Sequence, residues 1–206
     1  MNATEYIRVL QALRLKGRVE PEPLAAASGL SGTACAAILG ELTEHGLAEE
    51  ARGRLKLTAA GRERLSSELS QERASIDQAA LAEQYHAFDE HNTALKSLMT
   101  RWQLKDENTP NDHTDEAYDQ AVVEDLAALD ADFQPLLQQM VHIAPRLAHY
   151  PARFTGALRK VQDGDRTWFA RPLADSYHTV WFELHEELIG LAGLTRAEEA
   201  AAGRAQ

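Results

Sequence analysis

Residues 38–65 read ILGELTEHGLAEEARGRLKLTAAGRERL, and the way this passage breaks decides the fold. Ile38, Leu39 and Leu42 lie at helical spacing and Gly46 ends their run, so the spacing predicts a helix that stops there. Two short strand-like segments follow, Leu47 to Glu50 and Leu55 to Thr58. Ala51-Arg52-Gly53-Arg54 separates them, and Gly53 suits a tight hairpin turn. Thr58 is then placed to cap a helix beginning AAGRERL. Helix, hairpin and helix are predicted in that order.

Upstream, Tyr6, Ile7, Val9, Leu10 and Leu13 recur at helical spacing from Ala3 to Lys16, before Gly17. Glu20-Pro21-Glu22-Pro23 opens a second short helix that runs to Gly29, because proline is tolerated in a first turn. Ser31 is a good N-cap for the third helix, whose inward stripe is Ala34, Cys35, Ile38, Leu39 and Leu42. Three helices and a hairpin in this order, with the Ile38 to Leu65 passage, resemble the winged helix-turn-helix of MarR-like transcriptional regulators over about residues 5–69. The resemblance implies a third helix in the DNA major groove and a wing at the neighbouring backbone or minor groove. It places Ser31, Gly32, Thr33, Ala36 and Ala37 near DNA, along with Arg52, Arg54 and Lys56 on the wing. Between Ser28 and Glu50 there is no Lys or Arg, so cations must come from outside the recognition helix. The wing can supply them, as can Arg14, Lys16 and Arg18 at the end of the first helix. Small residues on the helix permit close approach but leave little direct base readout.

The whole chain of 206 residues carries 32 acidic and 21 basic side chains, a net charge of -11. That works against non-specific attraction to nucleic acid or anionic lipid, so any DNA contact has to be local. Residues 1–70 hold nine basic and nine acidic side chains, which leaves the acidity to the second part. No apolar run approaches a membrane span and MNATEYIRVL lacks the layout of a signal peptide, so a soluble, cytoplasmic protein is expected. The single cysteine, Cys35, excludes an internal disulfide and falls on the inward helical stripe, where it reads as packing.

Residues 1–70 are expected to form the DNA-binding domain, and residues 71–206 an all-helical bundle for effector binding and dimerisation. The polar stretch from Ser66 to Ser75 reads as the connector. A long helical pattern runs to Leu104, and a polar loop occupies Lys105 to Thr114. Further helices are predicted over Tyr118 to Leu129, Phe133 to Ile143 and Phe154 to Val161. Asp132 and Asp165 are candidate N-caps, Pro135 falls near a helix start, and Pro145, Pro151 and Pro172 mark ends or kinks. The last predicted helix spans Asp175 to Leu191, DSYHTVWFELHEELIGL, with Tyr177, Val180, Trp181, Leu184 and Leu188 at core spacing. Together with WQL and NDHTD earlier, this stretch looks like a C-terminal domain found with MarR-type regulators of actinobacteria.

Aromatic and histidine side chains concentrate on two predicted helices, so a small-molecule effector pocket is expected between them. Its candidates are His86, Asp89, Trp102, His178 and Trp181. Asp175 with His178, and His86 with Asp89, stand one helical turn apart and are the candidate metal ligands, and the sequence leaves the identity of any cofactor open. His185 stands two helical turns from His178, roughly 10 Å along the axis, which makes sharing one ion harder, and His91 and His113 are further candidates with no fixed geometry. No phosphate loop, nucleophile elbow or CxxC pair is present, which argues against an enzyme. The expected protein is a mainly α, homodimeric regulator of double-stranded DNA. The competing reading is a winged-helix adaptor that binds protein instead.

Overall fold

A computed structural model describes residues 2–106, 108–172 and 174–201. Met1, Glu107 in the expected polar loop, Leu173 and residues 202–206 at the end of the expected helical part lie outside the described residues. The protein is mainly helical, with one two-stranded antiparallel sheet.

Three helices, α1 (Ala3–Lys16), α2 (Pro21–Ser28) and α3 (Gly32–Glu44), come first. Pro21 sits in the first turn of α2, and Gly29 closes that helix in the left-handed region at φ 67°. Ser31 caps α3 by accepting a hydrogen bond from the Ala34 N–H, as its position predicts. Strands β1 (Ala48–Ala51) and β2 (Arg54–Leu57) pair with Ala48 opposite Leu57 and Ala51 opposite Arg54. Arg52 and Gly53 both take positive φ, 56° and 75°, the twist a two-residue hairpin requires. Val19, between α1 and α2, adds a backbone bridge to Leu55, which ties the first connection to the hairpin. Helix α4 (Ala59–Ser75) is capped by Thr58. It packs so closely on the hairpin that a Cβ at Gly61 would lie 1.9 Å from the Leu47 carbonyl oxygen. Val9, Leu10, Leu13, Ile38, Leu42, Leu55 and Leu65 fill the core of this region.

Helices α5 (Gln78–Gln103), α6 (Glu116–Ile143), α7 (Tyr150–Gln162), α8 (Tyr177–Leu191) and α9 (Arg196–Ala201) form the rest. A second core gathers Phe88, Phe133, Phe154, Tyr177 and Trp181, with Leu126, Leu137 and Leu184 around them. Short 3₁₀ turns at Pro145–His149 and Arg166–Trp168 flank α7.

Five expectations are corrected. The polar Ser66 to Ser75 stretch is not a connector but the second half of α4, and the chain breaks at Ile76 and Asp77. The segments Tyr118 to Leu129 and Phe133 to Ile143 are one helix. Leu126, Asp130, Phe133, Leu137 and Met140 continue a single buried stripe through the supposed gap, so Asp132 caps nothing. Pro135 is tolerated mid-helix because it and Ala131, whose carbonyl loses its helical partner, face water. Pro151 begins α7 instead of ending a segment. Asp175 stands outside α8, since Ser176 is the cap and Tyr177 the first helical residue.

Candidate functional site

Helix α3 rests on α1, α2 and β1 through Cys35, Ile38, Leu39 and Leu42. The opposite face therefore turns outward, and Ser31, Gly32, Thr33, Ala36 and Ala37 are all exposed. Five small residues leave the start of the helix open to close approach, and its N-terminal N–H groups carry a partial positive charge. The hairpin, which meets α3 through β1, presents Arg52 at its tip. Arg52 is a non-glycine residue in the left-handed region, where strain of about 1 kcal/mol is usual.

The other expected cations are distributed differently. Arg54 faces Glu20 at 3.6 Å and Lys56 pairs with Glu49 at 2.7 Å; the Lys56 hydrogen bond and charge hold the Glu49 carboxyl below its usual range. Arg14 turns to Gln11 and Glu186. Lys16 is taken up by Asp175 and Glu183. Among the described residues, Arg18 and Arg52 are the exposed cations here without an ion-pair partner. The thiol of Cys35 is 1% exposed and burial pushes its pKa up, the opposite of what a reactive thiolate needs.

A buried ionic network that the sequence reading missed joins the two cores. Arg146 is 3% exposed and donates from Nε to Glu72 and from both terminal nitrogens to Glu187, each at 2.8–2.9 Å. Arg153 binds Asp175 and Glu183, and Gln11 of α1 reaches Glu187 at 2.8 Å. Burial pushes the Asp175 carboxyl up, but the Arg153 hydrogen bond and the charges of Arg153 and Lys16 more than reverse this and hold it at about 2. Asp175 is thus a structural anion and not a partner for His178. The available signal was Glu183 and Glu187, four apart and each directly before a core leucine of α8, Leu184 and Leu188.

The expected effector residues do not converge. Trp181 is buried, donates to Asn92 Oδ1 at 3.1 Å and stacks on Phe88. With His178 it lines a cavity of about 350 Å³ between α5 and α8. His86 and Asp89 face a different hollow of about 360 Å³ near Leu194. Trp102 is elsewhere again, stacked on Phe169 at 4.3 Å and against His113 at 4.5 Å. Among the described residues, no group of three or more His, Cys, Asp or Glu side chains is placed to hold a metal ion.

Two histidines acquire definite roles. His185, 6% exposed, meets the Tyr85 hydroxyl at 3.1 Å, and burial lowers its pKa to about 4, so it is neutral near pH 7. His113 contacts the fully buried carboxylate of Asp119 at 3.0 Å, which Asn111 and Arg166 also bind. Burial raises the Asp119 carboxyl, and these donors together lower it by more. The cluster fastens the loop before α6 to the turn after α7.

Among the described residues no single helix is long and apolar enough to cross a membrane. Neither a family profile nor a curated protein nor a solved structure matches this chain.

Proposed function

We propose that residues 1–70 form a winged helix-turn-helix and that the protein is a cytoplasmic, homodimeric DNA-binding transcriptional regulator. One observation carries the reading: the small-residue face of α3 is exposed, and so is Arg52 at the strained tip of the hairpin, which has no ion-pair partner among the described residues. A turn position that favours Asn or Gly keeps Arg52 at a conformational cost, and a phosphate contact gives that cost a purpose. Ser31 and Thr33 would then bond phosphates or bases at the helix N-terminus. A dimer would double the few cations and set two recognition helices about one DNA turn apart. Among the described residues only Phe182 and Leu194 expose large apolar side chains, so this dimer has to close mainly on polar helix faces.

Polarisation titration with duplex DNA from upstream of the protein's own gene tests the reading. Binding should be steeply salt-dependent and weakened across all sequences by Arg52→Ala, whereas Thr33→Ala should act more selectively. No binding by folded protein at low salt would refute it.

A second reading, a protein-interaction adaptor, is favoured by the pairing of Arg54 and Lys56 with glutamates and by the absence of basic residues from α3. It expects no salt-dependent DNA affinity and no effect of Arg52→Ala on any DNA measurement.

A further inference from the structure

A cleft of about 530 Å³ runs between α1, α4 and α8, bringing the two cores together over a shared wall. In a chain of net charge -11 its lining is unexpectedly basic. Arg14 of α1, Arg73 of α4 and Arg196 of α9 converge on one turn of α8. Arg14 and Arg196 both reach Glu186, and Arg73 donates to the carbonyl of Gly190, one turn further on. The Arg14 pair is loose at 3.7 Å and shares its carboxylate with Arg196. Arg73 has no carboxylate partner among the described residues, and its contact with Gly190 is long at 3.5 Å. Ser66 and Ser70 add hydroxyl donors from the α4 wall, one turn apart. Leu65, Leu69, Ile189 and Leu191 supply an apolar wall alongside.

We propose that this cleft binds a small phosphate monoester with an apolar body. Guanidinium groups of Arg14 and Arg73 would hold the phosphate, Ser70 would donate to a third oxygen, and the body would lie on Leu65, Leu69 and Ile189. The chemistry follows from the lining. Arginine forks match tetrahedral oxyanions, hydroxyls complete the shell, and the volume falls within the range of small-molecule sites. Long-range repulsion by an acidic protein disfavours an anion unless local donors exceed local carboxylates, as they do around Arg73. The ligand would touch α1 and α4 on one side and α8 on the other, so it would stiffen the junction between the two cores. The consequence for DNA affinity rests on the regulator reading, but the binding itself does not.

Calorimetric titration of the full chain, without DNA, tests the proposal with phenyl phosphate, phenol and inorganic phosphate as probes. Phenyl phosphate should bind more tightly than either other probe. Arg73→Gln should weaken it about tenfold, the usual consequence of losing one charge-assisted hydrogen bond. Ser70→Asp, on the exposed side of α4, should abolish binding while leaving the melting temperature near that of the parent protein. The absence of phenyl phosphate binding at millimolar concentration would overturn the proposal. So would equal binding of phenol or of inorganic phosphate, or binding that survives Ser70→Asp. Phenyl phosphate binding by a protein with no DNA affinity would retain the cleft and remove the regulator, and the converse result would do the opposite.

Discussion

Replacing Arg146 by methionine should be among the most damaging single changes in the molecule. The side chain is 3% exposed and satisfies two carboxylates, Glu72 and Glu187, through four hydrogen bonds. Among the described residues, Glu187, 2% exposed, would keep only Gln11 Nε2 at 2.8 Å and the Tyr150 hydroxyl at 3.5 Å, neither of them charged. Stranding a buried carboxylate in this way costs about 3–5 kcal/mol. Total stability of a domain is on the order of 5–15 kcal/mol, so the loss is a large fraction of it. For a chain of this size it corresponds to a fall in melting temperature of roughly 6–20 °C. Urea unfolding followed by circular dichroism, with calorimetric melting alongside, measures both. The pH dependence identifies the cause. Without Arg146, a buried Glu187 acquires a raised carboxyl pKa, so folding takes up a proton and the deficit should shrink as pH falls from 7 towards 5. Replacing Arg146, Glu72 and Glu187 together with apolar residues should restore most of the loss. A deficit below about 1 kcal/mol, the scale of an exposed pair, would show that the network is not a buried link between the cores.

Other consequences follow from single contacts. Gly61→Ala should destabilise severely, since its Cβ would lie 1.9 Å from the Leu47 carbonyl oxygen and neither backbone can yield; a melt with near-parent stability would refute that packing. His185 is held neutral by burial with its pKa at about 4, against about 6.5 unfolded, so the unfolded state binds the extra proton first. Its contribution is complete above about pH 6.5 and is lost as pH falls towards 4. His185→Gln should flatten the stability profile in that window, and an unchanged slope would count against the assignment. Asp175, depressed to about 2, contributes stability that is lost only below about pH 4, so Asp175→Asn should act at neutral pH and converge with the parent in acid. Arg52→Asn should leave stability unchanged or slightly raised by relieving the left-handed turn while lowering DNA affinity, and parallel loss of both would make Arg52 a purely structural residue.

Much of the chain is legible where local chemistry dominates. Ser31 and Thr58 cap the helices their side chains suggest, and the turn at Gly53 forms where strand-like segments flank it. The misreadings share a cause: each depends on which way a residue faces, and that is set by packing between distant segments. Pro135 does not break α6 because its face is solvated, and the Ser66 to Ser75 stretch, though polar, is tied to the second core through Glu72 to Arg146 and Arg73 to the Gly190 carbonyl. Asp175 and Ser176 are both good caps by type, and the choice falls to Ser176 because Asp175 is drawn to Arg153 and Lys16. The effector candidates were grouped by helix, yet His86 and His178 line separate hollows and Trp102 belongs to the His113 loop. Lys16, a candidate cation at the end of α1, is instead a half-buried partner of Glu183, a contact spanning most of the chain.

Amide chemical-shift mapping of the labelled protein, titrated with its upstream duplex at low salt, tests the central claim most directly. The account predicts shifts concentrated at Ser31 to Ala37 and at Ala51 to Lys56, weakening steeply as salt rises. Shifts absent from α3 and the hairpin, with DNA either unbound or bound elsewhere, would contradict it.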